Sequence, residues 1–193
     1  MMAHTFWRSL VFAGILAVAV PQRATSSDTP LPTGERQITL VSAKGERLRL
    51  GSVTFTPDGD ARTIAVRLDA PGFRDEFLSM RPFRCLPDSR EMWCHLAYPY
   101  DLSGRITPID LTDLEYSLLF LFKPPTAYGI DAWNGLYFRF AAMPDGSLSG
   151  TVHEVNLDVL AVPPADRSAR LIAPPDLTPT DPAAHRFATM EIR

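Results

Sequence analysis

Residues 51–69 read GSVTFTPDGDARTIAVRLD, and this stretch predicts how the chain folds. In its second half Ile64, Val66 and Leu68 alternate with other residues, which is the period-two pattern of a strand with one buried face. The turn between the halves carries Pro-Asp-Gly at 57–59. Proline presets φ at the first corner, aspartate bonds its own backbone, and glycine accepts the left-handed position. The stretch is therefore expected to form a β-hairpin.

The same signals recur along the chain. Residues 136–143 alternate and run into a second Pro-Asp-Gly turn, and residues 155–162 alternate beyond that turn. A Lys-Gly pair at 44–45 marks a third turn, and the hydrophobic phase flips near 51–52, which predicts a β-bulge. Turns that directly join neighbouring strands indicate an antiparallel meander rather than parallel strands joined by helices.

The predicted fold class is an all-β antiparallel meander of about eight to ten strands. Such a sheet is expected to close into a small barrel, because closure removes exposed strand edges. A two-sheet β-sandwich is the alternative. The run LLFLF at 118–122 is apolar throughout, so we expect a strand that is buried on both faces.

One short helix is expected near residues 108–116. Thr107 offers an N-cap with Pro108 at the first helical position, and Thr112 offers a second start. The acids that follow suit the positive end of a helix dipole. This helix is the expected exception in an otherwise β chain.

Residues 1–26 have the pattern of a secretory signal peptide. Arg8 supplies the positive charge, and residues 10–20 form an uncharged apolar run that is shorter than the roughly 20 residues of a membrane-spanning helix. We expect cleavage after Ser26, and therefore an exported protein without a transmembrane anchor.

The remaining chain is expected to form one domain. Residues 27–162 hold the predicted strands, whereas residues 163–193 hold six prolines, which do not fit inside a sheet. Because this Pro-rich tail also carries many apolar residues, we expect it to pack on the domain, with an edge strand at 187–192.

Cys85 and Cys94 are the only cysteines and are expected to form a disulfide. Pro-Asp-Ser-Arg at 87–90 is typical of a turn. A hairpin centred there sets Cys85 opposite Cys94, at a separation that a disulfide bridges with little adjustment. The same register sets Leu86 opposite Trp93. Export to an oxidising compartment favours the bond.

Composition and motifs argue against several function classes. The formal net charge of −3 lacks the basic surface that nucleic acid requires. The Gly-Ser-Leu-Ser-Gly run at 146–150 has leucine where a nucleophile elbow needs serine, and neither a P-loop nor a His-Glu-x-x-His motif is present. We therefore assign no catalytic residue, metal or cofactor, and an enzyme is not favoured.

Two groups of residues remain as candidates for binding. Aromatic side chains with polar tips suit the wall of a pocket, and they concentrate in the middle of the chain. Glu154, Asn156 and Asp158 would share one face of a strand and would suit a cation. The expected aromatic wall of a ligand site consists of Trp93, Tyr98, Tyr100, Tyr128 and Trp133.

Three runs in the middle of the chain carry a resemblance. They are EMWCHLAYPYD at 91–101, DLTDLEYSLLFL at 110–121 and YGIDAWNGLYF at 128–138. These runs are similar to an uncharacterised family of exported bacterial proteins with no assigned activity, over about residues 36–193. The resemblance implies a single domain in the periplasm or outside a bacterial cell, and it implies no catalytic or binding residue.

The sequence thus predicts a periplasmic binding protein without catalytic activity, whose ligand is small and largely apolar. An accessory protein of a larger envelope complex is one alternative, and it predicts an exposed apolar patch. A cation-binding or hydrolytic site on Glu154, Asn156 and Asp158 is the other alternative.

Overall fold

The computed structural model describes residues 29–79 and 82–193 of the 193-residue chain. The expected signal peptide at 1–26 lies outside the described residues. Within them, twelve strands belong to one antiparallel sheet, and no helix has the length and apolar character that crossing a bilayer requires. The strands are β1 (Gly34–Val41), β2 (Arg47–Asp58), β3 (Ala61–Leu68), β4 (Arg74–Phe77), β5 (Pro82–Leu86), β6 (Met92–Leu96), β7 (Arg105–Ile106), β8 (Leu119–Lys123), β9 (Gly135–Ala142), β10 (Leu148–Val155), β11 (Thr178–Pro179) and β12 (Thr189–Ile192). The helices are α1 (Thr112–Tyr116) and two 3-10 helices at Leu157–Leu160 and Pro174–Asp176.

The sheet runs in the order β4-β5-β6-β8-β9-β10-β12-β1-β2-β3-β7, and β11 attaches to β10. The described strands β4 and β7 are its two ends, so the sheet is open and the predicted closed barrel is not confirmed. A side chain links the strands that lie next to these two ends. The Arg84 guanidinium on β5 donates to the Leu68 carbonyl on β3 at 3.0 Å. The result is an all-β, sandwich-like fold whose short edge strands offer little backbone to other chains.

On either side of β12 the sheet has two halves, β4-β5-β6-β8-β9-β10 and β1-β2-β3-β7. Their inner faces enclose a shared core, which we call the first core. β1 and β2 contribute Ile38 and Phe55, and the other half contributes Trp93, Phe120 and Phe138. The ring centroid of Trp93 lies 5.9 Å from that of Phe120 and 6.0 Å from that of Phe138. The two halves therefore bury their inner faces against each other, as two sheets do in a sandwich.

The outer face of β5, β6, β8 and β9 is covered as well, and this layer forms the second core. Leu119 and Leu121 contribute to the second core, whereas Phe120 between them contributes to the first. Tyr116 of α1 and the chain at 157–172 form much of the layer that packs on this face, which we call the cover. The prediction of a fully buried strand at 118–122 is confirmed, because β8 packs on both faces.

The three predicted hairpin turns are confirmed. Gly45 lies in the turn between β1 and β2, Gly59 between β2 and β3, and Gly146 between β9 and β10. Their φ angles are 84°, 60° and 79°, in the left-handed region that glycine adopts without steric cost. Gly45 and Gly146 follow the two corner residues of their turns, whereas Pro57 and Asp58 remain in the β2–β3 ladder, so Gly59 is itself a corner residue.

The predicted bulge is also confirmed. Ile38 of β1 faces Gly51 of β2, whereas the next residue, Thr39, faces Arg49. Leu50 is therefore the extra residue, and it shifts the side-chain phase of β2 so that apolar residues on both sides of the bulge stay in the core.

The helix is shorter than predicted and begins at its second expected start. Residues 107–110 form a β-turn instead, in which Thr107 and Asp110 exchange backbone hydrogen bonds of 2.9 and 3.1 Å. Pro108 takes the second turn position, where its fixed φ is as favourable as it is at the start of a helix. The Asp110 carboxylate then accepts the backbone N–H of Thr112 at 3.1 Å.

The strand predicted at 155–162 is wrong. β10 ends at Val155, and the Asn156 side chain caps the following 3-10 helix by accepting the Asp158 backbone N–H at 2.9 Å. A local side-chain-to-backbone hydrogen bond therefore overrides the alternating pattern in this segment.

The C-terminal strand lies inside the sheet, not at the edge where we expected it. β12 pairs with β10 on one side and with β1 on the other, so that Ile192 faces both Leu148 and Ile38. Met190 and Ile192 are fully buried. The interior position gives this short strand core contacts and two backbone ladders, which an edge position would not provide.

The predicted disulfide and its register are confirmed. Cys85 and Cys94 are bonded, and they face each other across β5 and β6, with Leu86 opposite Trp93. Both cysteines are completely buried in the second core. The bond therefore ties the β5–β6 hairpin at the point where the cover packs on it.

Replacing Gly51 by alanine is expected to destabilise the fold by about 3 kcal/mol, because an added Cβ would lie 2.0 Å from the Arg67 carbonyl oxygen. Gly72→Ala is the matched control, since its Cβ would meet only the Leu86 side chain at 3.5 Å. Urea unfolding of both variants measures the difference. Equal free energies of unfolding for the two variants would contradict the tight approach of β2 and β3 at the bulge.

Removing the disulfide by the double substitution of Cys85 and Cys94 to alanine is expected to cost about 2–3 kcal/mol, as for a short closed loop. Thiol titration of the unfolded protein should find no free thiol before reduction and both thiols after it. Two free thiols before reduction would show that the hairpin is not crosslinked.

Candidate functional site

The five aromatic residues expected to line a ligand site lie in three different environments. Trp93 is 1% exposed inside the first core. Tyr98 and Tyr100 are half-buried and contact each other edge-on, with ring centroids 5.6 Å apart. Tyr128 and Trp133 are exposed. The structure thus brings Tyr98 and Tyr100 together and keeps the other three apart.

The two neighbouring tyrosines fasten the cover of the second core. The Tyr98 hydroxyl donates to the Ala169 carbonyl at 3.2 Å, and the Tyr100 hydroxyl donates to the Leu160 carbonyl at 2.6 Å. Burial raises the pKa of Tyr98 to about 12, and the nearby Tyr116 adds to this shift. The two hydrogen bonds hold the cover in place, and the raised pKa keeps the Tyr98 hydroxyl protonated as a donor.

The three acceptors that we expected on one strand face are separated. Glu154 contacts the imidazole of His185, Asn156 caps a 3-10 helix, and Asp158 accepts the indole N–H of Trp133. They diverge because β10 ends at Val155. Among the described residues, no group of three or more His, Cys, Asp or Glu side chains is arranged to hold a metal ion.

A cleft of about 650 Å³ opens on the outer face of β9, and we call it the β9 cleft. Its walls are the turn at 107–110, α1, the second half of β9 and the chain at 170–177. The cleft exists because β8 pairs with β9 only at Leu136 and Gly135, so the rest of β9 has no neighbouring strand on that side. Apolar side chains that line it include Leu111, Phe140, Ala141, Ile172, Pro174 and Leu177.

A buried carboxyl group accepts a backbone N–H of β9 that no neighbouring strand pairs with. Glu115 of α1 is 7% exposed and accepts the backbone N–H of Phe140 at 2.8 Å as well as the hydroxyl of Tyr137. Burial raises the pKa of Glu115 despite these two hydrogen bonds. Burial and the neighbouring Glu115 also raise the pKa of Tyr137. The floor of the β9 cleft is therefore a neutral phenol bonded to a carboxyl whose charged form is disfavoured.

The two arginines of the β9 cleft differ in their partners. Arg170 donates to both carboxylate oxygens of Asp110 at 2.6 Å and lies 3.6 Å from Asp113. Arg139 is exposed on β9, and its side chain forms no ion pair or hydrogen bond within the described chain. The cleft thus presents one guanidinium group that has no ion pair within the described chain, although its charge also acts on Glu115 at a longer distance and favours the anion of that carboxyl.

Sequence patterns did not indicate this cleft. The alternating pattern predicts only that Arg139 lies on the polar face of a strand. The position of Glu115 in a short helix predicts only an acid near the positive end of the helix dipole. The signal that could have revealed Glu115 is its position one residue before Tyr116 in a helix too short to have a solvated face.

A second buried ionic group holds the C-terminal chain in place. His185, which is 4% exposed, contacts Glu91 through Nδ1 at 3.1 Å and Glu154 through Nε2 at 3.0 Å. Burial alone would lower the pKa of His185, but the two carboxylates outweigh it and the pKa lies above the ordinary value of 6.5. Burial alone would raise the pKa of Glu91, but hydrogen bonds from His185 and the Arg186 backbone hold it below 4.5.

These pKa shifts predict how stability depends on pH. The contribution of His185 is fully present below pH 6.5, the ordinary pKa of histidine, and is lost as pH rises through its raised pKa in the folded state. The contribution of Glu91 is present above pH 4.5 and is lost as pH falls through its lowered pKa. The ionic group therefore stabilises the fold most between pH 4.5 and pH 6.5, the ordinary pKa values of the two groups.

His185→Gln is expected to cost about 3 kcal/mol near pH 6 and to remove much of the fall in stability above that pH. Urea unfolding across a pH series measures both effects. His153→Gln, at a histidine bonded only to a backbone carbonyl on β10, is the control and should keep the wild-type pH dependence. A His185→Gln variant with an unchanged pH profile would contradict the ionic group.

Comparison with known proteins does not assign the β9 cleft. No known protein family matches the chain, and no curated protein or solved structure is significantly similar to it. Its function is therefore inferred from the residues and their arrangement.

Proposed function

We propose that the protein is a non-catalytic binding protein of the periplasm or extracellular space, and that the β9 cleft holds a small, largely apolar ligand with one acidic group. The observation that carries this proposal is a lining in which apolar residues alternate with polar ones and one arginine, Arg139, has no ion pair within the described chain. A ligand with these two features satisfies both parts of the cleft.

The size of the cleft supports a small ligand. Its volume of about 650 Å³ falls within the range of about 300–1,000 Å³ that small-molecule sites occupy. Phe140 and Ala141 line it from the sheet, and Ile172 and Leu177 line it from the cover. Phe140 and Ile172 are already buried, so an apolar ligand between these walls would mainly remove the surfaces of Ala141 and Leu177 from water, at about 25 cal/mol for each Å² buried.

The charges of the cleft support an acidic group on the ligand. Arg170 is paired with Asp110, whereas the Arg139 guanidinium has no ion pair or hydrogen bond within the described chain. The carboxyl of Glu115 at the floor already accepts the Tyr137 hydroxyl and the Phe140 backbone N–H, so its hydrogen bonds are directed into the chain and not into the cleft. A carboxylate or sulfonate that pairs with Arg139 would form the charge-assisted hydrogen bonds that this arginine lacks within the chain.

The proposed location rests on the disulfide and the leader. Cys85 and Cys94 are bonded, and structural disulfides persist mainly in oxidising compartments. The apolar run at 10–20 behind Arg8 is typical of a signal peptide. Both features support export.

Anilinonaphthalene sulfonate, an aromatic probe with one negative charge, tests the β9 cleft. The wild-type protein is expected to enhance its fluorescence. Ala141→Trp fills the cleft from an exposed position on β9 and is expected to abolish the enhancement. Arg139→Gln is expected to weaken binding about fivefold, the equivalent of an ion pair worth about 1 kcal/mol.

Two variants serve as matched controls for this titration. Thr54→Trp adds the same bulk at an exposed position of β2, and Arg74→Gln removes an exposed arginine of β4 that also lacks a partner within the described chain. Both are expected to bind like the wild type. No enhancement in the wild type, or equal losses in variants and controls, would show that the cleft is not the binding site.

A further inference from the structure

Lys123 is one of only two lysines in the chain, and it is buried. It is the last residue of β8 and is 5% exposed. Alternation along β8 sets it on the same face as Leu119 and Leu121, which contribute to the second core. Lysine is almost never buried to this extent unless its ammonium group has a partner.

The ammonium group of Lys123 has no such partner in the described part of the chain. Within residues 29–79 and 82–193 it forms neither an ion pair nor a hydrogen bond. The aliphatic stem of Lys123 is therefore buried, whereas its ammonium nitrogen keeps contact with solvent. Lys44, by contrast, is exposed in the turn between β1 and β2, so its charge is solvated.

The side chain of Lys123 lines a cavity of about 450 Å³. The cavity lies between the chain that follows β4 and the loop that follows β8. Phe77 and Tyr128 belong to its lining, and they are 74% and 106% exposed. Two open aromatic rings therefore lie beside one positive charge that has no anion within the described chain.

We propose that this cavity, the Lys123 pocket, binds a small aromatic carboxylic acid. The carboxylate pairs with the ammonium group, which gains the anion that the described chain does not supply. The aromatic part packs against Tyr128 and Phe77, whose rings thereby lose surface exposed to water. The pocket shares no lining residue with the β9 cleft, so this site is independent of the proposed function.

Phenylacetate tests the Lys123 pocket, with phenylacetamide as its uncharged counterpart. By isothermal titration calorimetry, the wild-type protein is expected to bind phenylacetate at least about tenfold more tightly than the amide. Lys123→Met keeps an unbranched apolar side chain without the charge and is expected to remove this preference. Lys44→Met is the matched control and should keep it, whereas Tyr128→Ala should weaken both probes.

Acylation of the lysines of the wild-type protein gives a readout that does not depend on the folding of a variant. Saturating phenylacetate is expected to slow acylation of Lys123 at least about fivefold and to leave Lys44 unchanged, as measured by peptide mass spectrometry. Equal affinity for acid and amide, an undiminished preference in Lys123→Met, or an unprotected Lys123 would overturn the proposal. Failure of the sulfonate probe at the β9 cleft changes none of these readouts.

Discussion

β12 joins the two halves of the sheet, and the rest of the structure depends on that junction. Its four residues pair with β10 on one side and with β1 on the other, and they are the backbone link between the halves in the described chain. The residues before β12 are fixed by the contacts of His185 with Glu91 and Glu154, and by Phe187, whose ring centroid lies 5.4 Å from that of Trp93. Because β1 and β12 are almost a whole chain apart, the first core is completed only when the C-terminal residues return to the sheet. Such non-local pairing is typical of slow-folding β proteins.

Burial of both faces explains where the two cavities form. The strands from β5 to β9 carry apolar side chains toward two cores, so each needs a cover on its outer face. The cover is complete over Cys85, Cys94 and Leu121, but it thins at the second half of β9 and at the end of β8. Arg139 and Lys123 lie at these two margins. Irregular chain covers one face of this sheet less completely than a second sheet would, so parts of β8 and β9 stay uncovered at its edges. Both proposed sites lie at these uncovered parts.

The sequence predicts the local parts of this structure well and the distant parts poorly. The three glycine turns, the bulge and the pairing of Cys85 with Cys94 follow from residues that lie within about a dozen positions of each other, where turn chemistry determines the register. The contact of Glu91 with His185 spans 94 residues, and no spacing rule connects them. Thr107-Pro108 shows a different limit, since the same pair suits the start of a helix and the start of a β-turn, and packing decides between them. The candidate site fell in this second category, because its walls come from α1, β9 and the chain at 170–177.

The cover is expected to be less stable than the sheet, because it is attached by fewer backbone hydrogen bonds. Backbone ladders hold the strands, whereas tyrosine hydroxyls hold much of the cover: Tyr100 bonds Leu160, and Tyr116 bonds both backbone groups of Ile172 at 2.9 and 3.1 Å. Segments with few backbone hydrogen bonds open at a lower free energy than the strands beneath them. Ile172 lines the β9 cleft, so one wall of the cleft belongs to this less stable layer. A ligand that bridges β9 and the chain at 170–177 would therefore stabilise the layer that is easiest to open, and its binding energy would be reduced by the cost of ordering that wall.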